Sequence, residues 1–306
     1  MNILIATEKP FAKVAVEGIR QIIEEAGHKC LLIENYTEKS QLLEAVAEAE
    51  AIIIRSDIVD AEVMDAAPKL KIVVRAGAGY DNVDLSAATE RNIVVMNTPG
   101  QNANAVAELV FGMLIFNARR HFDGKSGTEL KGKRIGLLAY GHIGKSVARI
   151  AKGFGMDVTA YDFFNRVERI EKDGVYAFHN RYDLVEQCDI VSLHMPATPE
   201  TVKSVNREML ELMKPGAVLV NTARKELINE EELLALFKER TDLTYLTDIR
   251  PTLHDRFVEE LGDRYFAPPK KMGAQTAEAN VNAGLAAARQ IVDFFETGNT
   301  KFQVNK

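Results

Sequence analysis

The sequence predicts an α/β chain made of two doubly wound parallel-sheet domains. Short apolar runs alternate with amphipathic segments, the alternation occurs in two successive series, and 306 residues is long for one core but comfortable for two. In the first series, Asn2-Ile-Leu-Ile-Ala6, Lys29-Cys-Leu-Leu-Ile33, Ala51-Ile-Ile-Ile54, Lys71-Ile-Val-Val74 and Ile93-Val-Val-Met96 are short apolar runs that read as strands. Gln101–Arg120 then places Val106, Leu109, Val110, Met113 and Leu114 at helical spacing, a helix long enough to cross from one domain to the other. The second series comprises Arg134-Ile-Gly-Leu-Leu138, Val158-Thr-Ala-Tyr161, Val175-Tyr-Ala177, Asp189-Ile-Val-Ser-Leu193, Ala217-Val-Leu-Val220 and Leu243-Thr-Tyr-Leu-Thr247, separated by helix-like segments such as Asn229–Lys238. Such alternation implies parallel strands with right-handed crossovers.

Composition narrows the class. A net charge of −6 provides no basic surface for nucleic acid, so an anionic ligand must be met by a few local cations. The apolar runs are too short to span a bilayer, and the N-terminus reads as a first strand without signal-peptide architecture, so a cytoplasmic protein with no membrane partner is expected. Cys30 and Cys188 sit in apolar, strand-like contexts and read as buried thiols.

Residues 139–162 assemble a dinucleotide site in sequence order. The strand ending at Leu138 runs into Ala139-Tyr-Gly-His-Ile-Gly144 and a helix-like segment. Gly141 lets the backbone approach a pyrophosphate, and Gly144 lets the helix pack closely on the sheet, so that phosphates meet the N–H groups of the helix N-terminus. Asp162 ends the next strand, eighteen residues after Gly144, near the distance at which a carboxylate accepts hydrogen bonds from the adenosine ribose of NAD. The first glycine of the fingerprint is replaced by Ala139, whose turn is less free in φ. After Asp162 come Phe163, Phe164 and Asn165, leaving Arg166 as the one nearby cation, so NAD is favoured over NADP.

Four further segments join this motif: Arg75-Ala-Gly-Ala-Gly-Tyr-Asp-Asn-Val-Asp84, Pro99-Gly-Gln-Asn-Ala-Asn-Ala-Val-Ala-Glu-Leu109, Ser192-Leu-His-Met-Pro-Ala-Thr-Pro-Glu-Thr201 and Asn221-Thr-Ala-Arg-Lys225. With the cofactor loop and Gly132-Lys-Arg-Ile-Gly136, they resemble the D-isomer-specific 2-hydroxyacid dehydrogenases over nearly the whole chain. The resemblance is greatest to the branch that oxidises 3-phosphoglycerate. It implies a Rossmann-type NAD domain, 101–284, inserted into a flavodoxin-like substrate domain made of 1–100 and 285–306. It also implies a homodimer clasped through the NAD domains, no metal, and a cofactor site formed by Gly141, His142, Ile143, Gly144, Asp162, His194, Pro196, Thr222, Ala223, Asp248, Gly273 and Ala274. Because the sequence stops at Lys306, the regulatory modules that follow in some members, and feedback through them, are not expected.

Oxidising a 2-hydroxy acid requires a base for the hydroxyl proton and a cation for the carboxylate. Arg224 follows a buried-looking strand end and, by resemblance, is the substrate-binding arginine, with a planar fork suited to a carboxylate. The amides of Gly77, Ala78 and Gly79 could approach the same group, although that loop also reads as an ordinary tight turn. Arg55 and Arg75 end strands and resemble the phosphate-side arginines of the family. The alternative is that they cap the sheet edge.

The chain departs from the family at two linked positions. Members carry a Glu shortly after the Asp that matches Asp248 and a His in a Pro-His-Ile-Gly-Ala turn, whereas this chain reads Asp248-Ile-Arg-Pro-Thr and Lys270-Lys-Met-Gly-Ala274, with Lys271 at the histidine position. A carboxylate beside a lysine pushes its pKa further from neutrality, so losing both groups together is physically coherent, and neighbouring cations favour the neutral amine. Lys271 is thus the candidate base, or else a solvated surface charge. Of the other histidines, His194 is expected to shape the cofactor pocket, while His254 and His142 read as solvent-exposed. The expected activity is NAD-dependent oxidation of D-3-phosphoglycerate to 3-phosphohydroxypyruvate, the first step of serine synthesis. Its rivals are a glyoxylate or hydroxypyruvate reductase and a non-enzymatic NAD(H)-sensing protein.

Overall fold

The computed structural model describes residues 1–164 and 166–305. Asn165, in the stretch after Asp162, and Lys306, the end of the expected 285–306 segment, lie outside the described residues. The chain divides into two compact units, Met1–Asn102 with Ala274–Lys306, and Ala103–Gly273.

The first unit contains β1 (Asn2–Thr7), α1 (Lys13–Glu25), β2 (Lys29–Glu34), α2 (Lys39–Val46), β3 (Ala51–Ile54), α3 (Ala61–Asp65), β4 (Ile72–Arg75), α4 (Leu85–Glu90) and β5 (Val94–Asn97). Its five parallel strands lie in the order β2-β1-β3-β4-β5, the flavodoxin-like arrangement. Strand alternation divides the core in two: Leu4 and Ala6 face a layer with Leu42, Val46 and Val63, while Ile3 and Ile5 face Ala15, Ile19 and Ile23 of α1.

That second layer is completed by the C-terminal helix, Ala277–Thr297, through Ala283, Ala287, Ala288 and Ile291. The Thr276 hydroxyl accepts the Ala279 N–H at 3.1 Å to start the helix, and Gly298, at φ 73°, ends it in the left-handed region. The helix corrects the expected boundary at 285, which falls inside it: the chain re-enters the first unit at Ala274. At the other junction, the helix read over 101–120 is α5 (Ala103–Ala118), which belongs wholly to the second unit. After the C-terminal helix, Asn305 accepts the Val95 N–H at 2.8 Å and donates to Ile93 O at 2.8 Å, clipping the tail beside β5.

After α5, the second unit runs β6 (Arg134–Leu138), α6 (His142–Gly153), β7 (Asp157–Tyr161), α7 (Val167–Lys172), β8 (Tyr176–Ala177), α8 (Arg181–Gln187), β9 (Ile190–Leu193), α9 (Arg207–Glu211), β10 (Val218–Asn221), α10 (Glu230–Glu239), β11 (Thr244–Thr247), α11 (His254–Leu261) and β12 (Tyr265–Phe266). The strand order is β12-β11-β10-β9-β6-β7-β8, all parallel, with the order reversing between β6 and β9. Ligands of such sheets bind outside the carboxyl ends of the strands at that reversal. Among the described residues, no helix is long and apolar enough to cross a membrane. Cys30 and Cys188 are buried free thiols.

Candidate functional site

In the second unit, the chain leaves β6 through a tight turn. Ala139 takes φ 82°, the left-handed conformation for which a glycine is usual, at a cost of roughly 1–2 kcal/mol for an L-residue. Its N–H is held by Tyr161 O at 2.8 Å. Gly141 caps α6 in extended backbone, and a Cβ there would meet nothing within 4 Å, so the turn is open in front of the helix N-terminus. At Gly144 a Cβ would sit 2.5 Å from Ala139 O, so only glycine allows this approach of helix to turn. His142 is exposed and Ile143 half-buried in the first turn of α6.

Asp162 is buried, and its carboxylate fixes the loop from beside it. One oxygen accepts the Tyr140 N–H at 2.9 Å, and the other accepts the Phe164 N–H at 3.0 Å and lies 3.7 Å from Arg166 Nε. Two N–H bonds fill part of the roughly four lone-pair sites of a carboxylate, leaving capacity for ribose hydroxyls. A cavity of 170 Å³ opens beside it, lined by Phe163, Arg166, Phe178 and His179.

The second cluster lies where β10 and β11 end. Arg224 Nη1 donates to Ala223 O at 2.9 Å, and Lys271 Nζ donates to the same carbonyl at 3.3 Å. Two cations that are 47 residues apart in sequence therefore share one acceptor. Asp248 is buried and accepts the Gly273 N–H at 2.7 Å, which anchors the turn carrying Lys271. Burial raises the Asp248 carboxyl above its ordinary pKa, against the opposing pull of Lys271, the Gly273 N–H and Arg224. A residue that sequence reasoning missed joins these parts. Asn221, fully buried, accepts the Ala223 N–H at 3.0 Å and donates to Arg224 O at 2.9 Å. It heads the Asn221–Lys225 segment of the sequence but carried no assigned role there.

Along the same ends of the sheet, Ser192 Oγ, both ring nitrogens of His194, Thr222 Oγ1 and Asp248 Oδ1 are buried with no hydrogen-bond partner among the described residues. Unmet buried polar atoms cost about 1–3 kcal/mol each, so a run of them marks surface shaped for a polar ligand. The dinucleotide fits: it carries hydroxyl, carboxamide and phosphate groups for these atoms and for the α6 N-terminus. Burial depresses the His194 pKa to about 3, so its ring is neutral. Pro196, in the loop after β9, is exposed. His254, expected in a solvent-exposed loop, instead opens α11 with Nδ1 2.9 Å from the Tyr265 hydroxyl, because β12 brings that tyrosine beside it.

The first unit gathers Arg55, Arg75 and the Gly77–Gly79 loop at the carboxyl ends of β3 and β4. Arg55 is more engaged than expected: it donates to Lys9 O, Pro10 O and Asn280 Oδ1 at 3.1, 3.0 and 2.8 Å and lies over the Phe11 ring. Arg75 Nε donates to Arg55 O at 2.9 Å, and the rest of its guanidinium occupies the space that a Cβ on Gly77 would need. The Gly77 N–H, expected to face a carboxylate, is turned onto Arg75 O at 2.9 Å. Asn97 latches the loop by donating to Ala78 O at 2.6 Å.

A doubly wound sheet with a glycine turn, a carboxylate at the end of the next strand and unmet polar atoms at the reversal defines a dinucleotide-binding α/β protein. The chain belongs to the D-isomer-specific 2-hydroxyacid dehydrogenases: residues 114–255 match the NAD-binding domain of that family. It is 36% identical over 297 residues to the D-3-phosphoglycerate dehydrogenase of Methanocaldococcus jannaschii, covering 90% of this chain and 55% of that one. To the hydroxypyruvate reductase of Thermotoga maritima it is 35% identical over 277 residues, covering 84% of this chain and 88% of that one. A crystal structure of NAD+-bound 3-phosphoglycerate dehydrogenase from Entamoeba histolytica superimposes with a TM-score of 0.89 at 48% identity, covering 100% of this chain and 99% of the other. The chain spans about half the length of the first curated phosphoglycerate dehydrogenases it matches.

Proposed function

We propose that this protein oxidises D-3-phosphoglycerate at C2 to 3-phosphohydroxypyruvate with NAD, the first step of serine synthesis, and that it does so as a cytoplasmic homodimer. The observation that carries the catalytic reading is the meeting of Arg224 and Lys271 at Ala223 O. Arg224 holds the substrate carboxylate through its planar fork. Lys271, whose Nζ lies 3.3 Å from Ala223 O beside Arg224, takes the C2 hydroxyl proton as general base. Bound NAD supplies the hydride acceptor. Gly141, Gly144 and the first turn of α6 would hold its phosphates, Asp162 its adenosine ribose, and His194, Thr222 and Asp248 its nicotinamide end. Arg55 and Arg75 are the cations assigned to the substrate phosphate.

A second reading, reduction of an unphosphorylated 2-keto acid such as glyoxylate or hydroxypyruvate, is favoured by the three protein acceptors already on the Arg55 guanidinium. A spectrophotometric assay at 340 nm, run with 3-phosphoglycerate and NAD and with glyoxylate or hydroxypyruvate and NADH, separates the two readings. The first requires kcat/KM to be highest for the phosphorylated substrate. It also requires Arg75→Ala to lower that value by about 1.5–3 kcal/mol while sparing the unphosphorylated acids. Equal losses on both would assign Arg75 to the fold.

A further inference from the structure

We infer that Asn221 is a positioning residue for both halves of the catalytic pair, setting Arg224 and Lys271 on one carbonyl through its buried side-chain amide. The inference rests on the roles assigned to those two residues above. Asn221 ends β10 and is fully buried, so its amide has no water to turn to. Its Oδ1 takes the Ala223 N–H and its Nδ2 gives a hydrogen bond to Arg224 O, fixing the peptide groups on either side of the 223–224 peptide. The carbonyl between those two fixed points, Ala223 O, receives the Arg224 guanidinium and Lys271 Nζ. Rotation of that peptide would therefore move both cations at once.

The turn is also tied from the neighbouring strand. Thr247 Oγ1 donates to Asn221 O at 2.8 Å, and the Asp248 N–H reaches the same oxygen at 3.3 Å. Asp248 in turn holds Gly273, two residues beyond Lys271. The hydrogen bonds close a ring: Asn221 to Ala223, Ala223 to Lys271, along the chain to Gly273, across to Asp248, and back to Asn221. The ring is buried at Asn221, Asp248 and Gly273 and reaches the exposed Lys271, and Asn221 is the member that touches the Arg224 turn and the β11 end together. An Asx turn alone would need only the Ala223 N–H bond. The second bond, to Arg224 O, places the arginine.

The test uses the whole protein. Asn221→Asp keeps the shape and the acceptor for the Ala223 N–H, but sets an oxygen against Arg224 O where an N–H stood. It should lower kcat/KM for the 2-hydroxy acid about 10²-fold, the usual effect of misplacing a reacting group by about 1 Å, with the NADH dissociation constant held within about twofold. In the absence of substrate and cofactor, labelling of Lys271 by acetic anhydride, read by mass spectrometry against exposed Lys125, should rise because its anchoring carbonyl has moved. In a Lys271→Met background, the kcat share of the Asn221→Asp loss should vanish, since the proton-transfer group it positions is already gone. Thr247→Val, which loosens the same turn from the far side, should act in the same direction and keeps the inference testable if Asn221→Asp fails to fold. Unchanged Lys271 labelling with wild-type kcat/KM would overturn the inference, as would full multiplication of the two kcat losses. A wild-type protein that turns over no 2-hydroxy acid, yet shows the labelling change, would overturn the proposed function and leave the positioning role standing.

Discussion

Replacing Gly144 by alanine probes the cofactor loop at its tightest point. The added Cβ would lie 2.5 Å from Ala139 O, whereas ordinary contact begins at 3.4 Å, so helix and turn must separate by about 0.9 Å. The carbonyl it meets is backbone, in a turn already strained at Ala139 and tied to Tyr161, so the helix rather than the turn has to move. Overpacking of this kind costs about 1–3 kcal/mol, while alanine recovers up to about 1 kcal/mol of helix propensity. The net loss of stability is then about 0–3 kcal/mol. The larger consequence falls on binding, because the N–H groups that would meet the pyrophosphate move with the helix. A displacement approaching 1 Å at a preorganised site costs up to about 10²-fold, so the NADH dissociation constant should rise roughly 10- to 100-fold. Titration of NADH fluorescence measures this, with urea denaturation reporting stability. An unchanged dissociation constant in a folded variant would refute the assignment of the α6 N-terminus to the phosphates.

Three further outcomes are expected. Lys271→Met should cut kcat by roughly 10²–10⁴-fold with little change in NADH affinity, and a wild-type kcat with chemistry rate-limiting would remove Lys271 from proton transfer. Asp162→Ala should weaken NAD binding and relax discrimination against NADP, measured as the ratio of kcat/KM values. It should also destabilise the fold, because Tyr140 and Phe164 lose their acceptor. Finally, His194 is neutral in the fold with a pKa near 3, below its unfolded value of 6.5, so its contribution is full above pH 6.5 and is lost as the pH falls from 6.5 toward 3. Between pH 7 and pH 5 the wild-type protein should lose about 2 kcal/mol more stability than His194→Gln, and parallel urea-denaturation profiles would count against a dry imidazole.

The strands were legible because runs such as Ala51–Ile54 and Ile72–Arg75 have little alternative to burial on both faces. The two-residue β12 was not, since Tyr265 and Phe266 acquire strand geometry only by pairing with Tyr245 and Leu246. The domain boundary placed at 285 overlooked Thr276, whose capping role depends on the backbone around it. The motifs identified Arg224 and Lys271 individually. Their shared acceptor was invisible because backbone carbonyls leave no trace in side-chain patterns, and Asn221, though part of the Asn221–Lys225 segment, carried no role because its two bonds are to backbone groups. Ala139 shows the reverse case: the missing glycine was plain, yet only the structure shows the alanine adopting the glycine's conformation.

The division of the first unit around the second has a consequence for synthesis. Ala103–Gly273 is continuous, so the second unit can close as soon as its own residues have emerged from the ribosome, whereas the first must wait for Ala277–Thr297. Until that helix arrives, Ile3, Ile5 and Ile53 lack part of their cover and present a sticky sheet face for the whole time the intervening segment is being made. Nascent chains in that interval are the form most exposed to self-association and most in need of chaperones, and the N-terminal part of this protein is made first and completed last.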